Sequence, residues 1–170
     1  MNIENIKVVA TDIDGVLTNG KIFYFKGEIY RNFNTKDGTG FKLLSIAGIK
    51  TIVISAKKSE ETKKRFSEIK VDCYIEGVEN KLSAIEKFIT KKGIRWQEIC
   101  YIGDDLQDFN IMKQAGFSVA PYNACKEIKN IADYICKKAG GDGVFRETVE
   151  VILKGKGVWE NILKKFLASL

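Results

Sequence analysis

Two short acidic stretches carry the chemistry that this chain can do. Asp12-Ile13-Asp14-Gly15 follows one apolar run, and Gly103-Asp104-Asp105-Leu106-Gln107-Asp108 follows another. Residues two apart in an extended chain point the same way, so Asp12 and Asp14 are expected to leave a strand side by side. Two adjacent carboxylates repel, and they call for a cation, a shared proton or separation into water. On its own, the first pair fits a charged site and a solvated turn cap equally well. The second stretch decides between them. Asp104 leaves its own strand, while Asp105 and Asp108 fall in a first helical turn, where the helix dipole favours anions. Capping accounts for one or two of these groups, but not for a third beside a second acidic strand end. Three or more carboxylates at one sheet edge make an oxygen-only site, suited to a hard divalent ion, with magnesium the natural candidate.

The chain contains no histidine. That excludes Ser-His-Asp and Cys-His catalysis, the usual zinc sites that include histidine, and any imidazole base. Acid–base work must then fall to carboxylates, lysine, tyrosine or metal-bound water. Two further strand ends supply donors and cations: Ser55-Ala56-Lys57, and Lys81 at the start of a predicted helix. Either Ser55 or Lys81 alone reads as ordinary surface, but each follows a core strand in the same sense as the carboxylates. A hydroxyl, backbone N–H groups and an ammonium facing carboxylates and a metal are the parts of a phosphate site. In that inventory Asp12 attacks phosphorus, and Asp14 protonates the leaving alcohol and later activates water. Asp12, the Asp14 carbonyl and Asp104 hold magnesium, Ser55 binds the phosphoryl oxygens, and Lys81 neutralises charge.

Such a site needs parallel strands that all end at one edge. Short apolar runs recur at 6–10, 51–54, 71–75, 99–102, 117–120 and 134–136. Amphipathic segments at 40–47, 59–69, 81–91, 106–115, 124–131 and 145–153 separate them. Strands apolar on both faces and alternating with helices predict an α/β fold, a doubly wound parallel sheet of Rossmann type. Residues 21–33 break the rhythm with two β-rich halves around Lys26-Gly27, a predicted hairpin with apolar side chains on both faces. A lone ribbon cannot bury both faces, so it must fold over the domain or pair with another subunit. A stripe at helical spacing from Val158 to Leu170 reads as core packing, with a subunit contact as the other reading.

At 170 residues, with no linker, repeat or low-complexity tract, one domain over 1–170 is expected, with a tail over 140–170. No membrane partner is expected, because no apolar run is long enough to span a bilayer and the start lacks a signal-peptide pattern. The net charge of +6 comes from lysines scattered at helical spacing. That pattern reads as solvated helix faces rather than a nucleic-acid patch. The four cysteines form no CxxC pair and read as reduced, mostly buried thiols.

DIDGVLT, VISAK, ENK and IGDDLQD, in that order, resemble the haloacid dehalogenase (HAD) superfamily of phosphatases. DIDGVLTNG, the hairpin, FNTKDGTGFKLL, Gly77–Lys81 and GGDGVFRE at 140–147 further resemble the 3-deoxy-D-manno-octulosonate 8-phosphate (KDO 8-phosphate) phosphatases over nearly the whole chain. The resemblance implies a HAD-like fold with a small hairpin flap and no separate cap domain. It implies a homotetramer in which hairpins and a Gly-rich tail help close a neighbouring site. It implies a cytoplasmic, magnesium-dependent phosphatase of lipopolysaccharide biosynthesis, acting on a sugar-acid phosphate through an aspartyl-phosphate. Gly15, Ser55, Ala56, Lys57, Lys81 and Arg146 become substrate contacts, and Asp105 and Asp108 support the metal ligands.

Two departures bear on the substrate. The family commonly has Thr-Gly-Arg where this chain has Ser55-Ala56-Lys57, and lysine cannot reproduce a bidentate guanidinium clamp. Asp142 stands in the Gly-rich segment where a basic residue is frequent. A phosphatase of nine-carbon sugar acids, such as N-acylneuraminate or deaminated neuraminate 9-phosphate, is the alternative. A non-catalytic phosphate-binding protein and a phosphoacceptor signalling domain are the readings outside that class.

Overall fold

In the computed structural model, which describes residues 3–25 and 28–170, the first strand, β1 (Val8–Thr11), lies in the middle of the sheet. The chain next forms a two-stranded ribbon, β2 (Phe23–Phe25) and β3 (Glu28–Tyr30), and then α1 (Thr35–Ile46). From there strand and helix alternate: β4 (Lys50–Ser55), α2 (Glu60–Glu68), β5 (Cys73–Glu76), α3 (Lys81–Lys92), β6 (Ile99–Ile102), α4 (Phe109–Gln114), β7 (Phe117–Ala120), α5 (Lys126–Ile131) and β8 (Tyr134–Ile135). Two helices close the chain, α6 (Val144–Gly155) and α7 (Trp159–Leu167). The main sheet runs β5-β4-β1-β6-β7-β8, with every pairing parallel. This is the predicted doubly wound α/β fold, and the strand carrying Asp12 is paired directly with the strand carrying Asp104.

Strand alternation divides the core into two. Val9, Val53, Cys100, Ile102 and Val119 face one side, where they pack with apolar residues of α1, α2, α6 and α7. Val8, Ala10, Ile52, Ile54, Ile99 and Tyr101 face the other side, under α3, α4 and α5. Both faces of the sheet are covered, so its strands are mostly apolar; Thr51 and Ser118 are the buried polar exceptions within β4 and β7.

The largest difference from the sequence expectation is at α1, which begins at Thr35 rather than near Gly40. Asn34 caps it by accepting from Lys36 N at 3.0 Å. DGTG has weak helix propensity, but a β-carbon on Gly40 would lie 3.1 Å from the Phe145 ring. The close approach of α6 thus explains the glycine. The segment expected as one helix over 106–115 divides into a 3-10 turn, Leu106–Asp108, and α4.

The hairpin forms as expected, with Phe23 opposite Tyr30. Its central Lys26-Gly27 lies outside the described residues. Phe23 and Tyr24 are exposed. The C-terminal stripe packs in part on the core through Trp159, Ile162 and Phe166, while Leu167 and Leu170 stay exposed. All four cysteines are free thiols, Cys100 and Cys136 buried, Cys73 and Cys125 half-buried. Among the described residues no helix is long and apolar enough to cross a membrane.

Candidate active site

The strand β1 ends at Thr11, one residue earlier than the carboxylate pair requires for simple strand alternation. Asp12 stays in register with β6 because its N–H donates to Ile102 O at 3.0 Å. A tight turn follows, closed by Thr18 N donating to Ile13 O at 3.0 Å. Within it Asp14 is extended (φ −79°, ψ 111°) and Gly15 is left-handed (φ 97°). The turn, not the pleat, therefore brings Asp12 and Asp14 to one cavity of about 250 Å³. Gly15 is required twice over. Its φ is strained for other residues, and a β-carbon there would lie 1.9 Å from Asp104 Oδ2.

Lys81 opens α3, whose N-cap, Asn80, accepts from Ser83 N at 3.0 Å. Its buried ammonium donates to Asp12 Oδ1 and Asp108 Oδ1, each at 2.9 Å. Asp108 is fully buried. Its Oδ1 also accepts from Tyr101 OH at 2.7 Å, and its Oδ2 accepts from Asp104 N at 3.1 Å. Both oxygens are thus engaged in holding Lys81 and the loop that carries Asp104. Asp105, by contrast, is exposed and caps its own turn through Leu106 N at 2.8 Å. The two residues that the sequence left equivalent are different in kind: Asp108 braces the site and Asp105 sits at its rim.

One carboxylate oxygen each from Asp12, Asp104 and Asp108 lies within 4.8 Å of the others. Burial raises the Asp12 carboxyl to about 7, and the charge of Asp108 adds to this against the pull of Lys81. Burial likewise raises Asp104 to about 7, with Asp12 and Asp108 reinforcing it. Although burial opposes its charge, Asp12 and Asp108 hold Lys81 above its ordinary value. Asp104 Oδ1 is buried and has no hydrogen-bond partner. A negatively charged, oxygen-only donor set with one unengaged buried carboxylate oxygen fits a hard divalent cation such as magnesium, and not a soft metal.

Ser55, Ala56 and Lys57 also line the cavity. Ser55 is buried, and its Oγ accepts from Lys57 N at 3.1 Å, leaving its O–H as a donor. Gly20 and Gln107 also line the cavity and were not foreseen. Neither were Arg31, which pairs with Asp14, nor Tyr101. Tyr101 is the one hydroxyl in a strand of apolar side chains, and that contrast was the available signal.

Arg146 is not brought to this cavity. It pairs with Glu150 at 2.9 Å, lies 5.9 Å from the Trp159 ring centre, and lines a second cavity of about 390 Å³ with Tyr134 and Lys137. The Gly-rich segment before it lies against this chain's own turn. Gly141 N donates to Val16 O at 2.9 Å, Asn34 Nδ2 donates to Gly141 O at 3.1 Å, and Gly140 N donates to Asn123 Oδ1 at 2.8 Å. A β-carbon on Gly140 would lie 1.9 Å from Gly15 O.

A parallel sheet whose two central strands deliver Asp12 and Asp104 to one edge, with a lysine bridging to Asp12, is the arrangement of a phosphate-ester hydrolase. A profile of haloacid dehalogenase-like hydrolases matches residues 71–147. The 3-deoxy-D-manno-octulosonate 8-phosphate phosphatase of Haemophilus influenzae is 35% identical over 156 residues, covering 91% of this chain and 87% of that protein. The crystal structure of the Moraxella catarrhalis enzyme of that name, in complex with magnesium, phosphate and KDO, superposes with a TM-score of 0.93 at 34% identity, covering 96% of this chain and 95% of that one. The cobalt-bound Haemophilus influenzae structure gives a TM-score of 0.88 at 34% identity over 92% of each chain. The chain belongs to the 3-deoxy-D-manno-octulosonate 8-phosphate phosphatase family of haloacid dehalogenase-like hydrolases and is a phosphoric monoester hydrolase.

Proposed function

We propose that this protein hydrolyses KDO 8-phosphate to KDO and phosphate with magnesium as its cation. The observation that carries the reaction is Asp12 Oδ1 held 2.9 Å from Lys81 in a cavity that it shares with Asp14, Ser55 and Asp104. The substrate rests on the relatives, since the Moraxella catarrhalis structure contains KDO, phosphate and magnesium together.

Asp12 is the nucleophile: a carboxylate oxygen bonds to phosphorus as the phosphorus–oxygen bond to the sugar breaks. Asp14 gives a proton to the departing sugar oxygen. It then takes one from the water that attacks the aspartyl-phosphate, releasing phosphate and restoring Asp12. Ser55 donates to a phosphoryl oxygen, and Lys81 balances charge on Asp12 and on phosphate. Asp12, the Asp14 carbonyl and Asp104 would hold magnesium, which when bound supplies the positive charge that lets an anionic nucleophile approach an anionic ester. Asp108 keeps Lys81 and the Asp104 loop in place. Gly15, Ala56 and Lys57 complete the substrate wall, with Lys57 facing the anionic sugar.

The same reading makes the protein a single-domain homotetramer, with no nucleic-acid or membrane partner, in the cytoplasm, where its product serves lipopolysaccharide assembly. The exposed Phe23 and Tyr24 of the hairpin support assembly, because apolar side chains on a two-stranded ribbon gain from a partner. Sedimentation velocity should give a tetramer at micromolar concentration, and a monomer would contradict it.

The deciding experiment is a ranking of kcat/KM with magnesium for KDO 8-phosphate, nine-carbon sugar-acid 9-phosphates and hexose phosphates. KDO 8-phosphate should lead. A higher value for a nine-carbon ester would transfer the assignment to that class, and no magnesium-dependent turnover on any ester would remove it.

A further inference from the structure

Arg31 follows directly on β3, in the hairpin, and no role at the site was expected of it from the sequence. Its guanidinium makes a two-point fork with Asp14, Nε to Oδ1 at 2.8 Å and Nη2 to Oδ2 at 3.2 Å. The Arg31 side chain is 4% exposed and that of Asp14 24%. A guanidinium buried to this degree is costly unless paired, so the contact is not an incidental surface bridge. A parallel fork fixes both carboxylate oxygens and the plane of the group, which a single contact would leave free to rotate. The contact also spans 17 residues, from the stem of the hairpin to the turn that carries the proposed acid–base group.

The geometry assigns Arg31 the role of a positioning residue for Asp14. It holds that carboxylate on the wall of the cavity shared with Asp12, where the leaving oxygen of the substrate must be met. It also makes this placement depend on how the hairpin stem is seated. The inference rests on the reading of Asp14 as acid–base group. Its effect is greatest for esters of poor leaving groups, the alcohols of sugar phosphates, whose departure needs a proton delivered in line. Aryl phosphates need that proton far less.

The test compares kcat/KM, which reports through phosphoryl transfer, on KDO 8-phosphate and on p-nitrophenyl phosphate. Arg31→Met should lower the value for the sugar phosphate about 10- to 100-fold and that for the aryl phosphate less than about threefold. In an Asp14→Asn background Arg31→Met should add no further loss on the sugar phosphate, because the group that it positions is already disabled. Arg31→Lys keeps charge and bulk with one contact in place of two, should show the same preference at smaller size, and carries the test if the Met variant does not fold. Equal losses on both esters, or a full additional loss in the Asp14→Asn background, would make Arg31 a structural clamp only and overturn the inference. If Asp14→Asn itself spares the sugar phosphate, the acid–base reading fails first, a result that is read without any Arg31 variant.

Discussion

The carboxylate of Asp104 fills the space that a side chain on Gly15 would need, with its Oδ2 1.9 Å from the position of a β-carbon there. Two loops that arise from adjacent strands interlock at this point, and the smallest residue of one makes room for the charged residue of the other. Gly15→Ala would press on Asp104 and strain a backbone at φ 97°. The variant should fold, but its half-saturating magnesium concentration should rise about 10- to 100-fold. Magnesium titration of initial rates measures this, and an unchanged titration would show that Asp104 does not depend on the close fit.

Asp12→Asn keeps the size of the side chain and removes the proposed nucleophile. Turnover should fall by at least about 10⁴-fold with the circular dichroism spectrum unchanged. Asp14→Asn should instead let phosphoenzyme accumulate on an aryl phosphate, seen as a burst of phenol followed by slow turnover. Near-normal turnover in the first variant, or no burst in the second, would redistribute these roles.

Tyr101→Phe removes only the hydroxyl that donates to Asp108 at 2.7 Å. Losing a hydrogen bond to a buried charged group should cost about 1.5–3 kcal/mol, read as a lower midpoint in urea. The turnover number should fall as well, because Asp108 orients both Lys81 and Asp104 N. A stable variant with lowered turnover would separate the two effects, and an unaltered protein would show that Lys81 alone suffices to hold Asp108.

Asp37 offers a pH test away from the metal ligands. Burial raises its carboxyl to about 6, against the opposing Arg146 N–H and guanidinium charge. One oxygen accepts from Arg146 N at 2.9 Å, and the other is buried without a hydrogen bond. Between the ordinary carboxylate value of 3.8 and about 6 the folded chain holds a proton that the unfolded chain has released. The Asp37 contribution therefore favours folding at low pH and is lost as pH rises through that window. Asp37→Asn, neutral at every pH, should be more stable than the parent above pH 6 by on the order of 2–3 kcal/mol. The gain should shrink toward pH 4. Chemical denaturation at both pH values measures this, and a gain independent of pH would reject it.

Gly140→Ala tests the strap that lies on the turn carrying Asp14. Its methyl would collide with Gly15 O, a backbone atom that cannot swing aside as a flexible side chain would. Overpacking of this kind costs roughly 1–3 kcal/mol, and here the turn that carries Asp14 would have to move. Both melting temperature and kcat should fall. A fall in stability with unchanged kcat would show that the strap and the chemistry are independent.

The strands were legible because covered parallel strands are apolar on both faces, so the first polar residues after them stand out: Asp12, Ser55 and Asp104. Lys81 was legible as the start of a helix after a strand. Long-range pairings left no such trace. Arg31 sits in a hairpin read mainly for its apolar side chains, and nothing local marks its contact with Asp14. Asp105 and Asp108 look alike in one dimension. Only the 3-10 turn, Leu106–Asp108, points one outward and buries the other against Tyr101 and Lys81. The early start of α1 was hidden because Gly38 and Gly40 weaken its helix propensity, and the reason for Gly40, the close approach of Phe145, lies about a hundred residues further along the chain. Arg146 was placed by resemblance at a neighbouring subunit's site, and within this chain its side chain turns toward Glu150 and Trp159.

The strand order has a consequence for how the molecule comes into being. The first strand made, β1, lies between β4 and β6, so neither of its edges is filled until much later chain has arrived. While the protein is being synthesised, Asp12 has no Lys81, no Asp108 and no neighbouring loop to rest against. Contacts this distant in sequence close slowly and leave strand edges open in the meantime. The assembled cluster is therefore among the last things the chain can complete. A protein truncated before residue 108 would carry the proposed nucleophile but not the surroundings that would make it one.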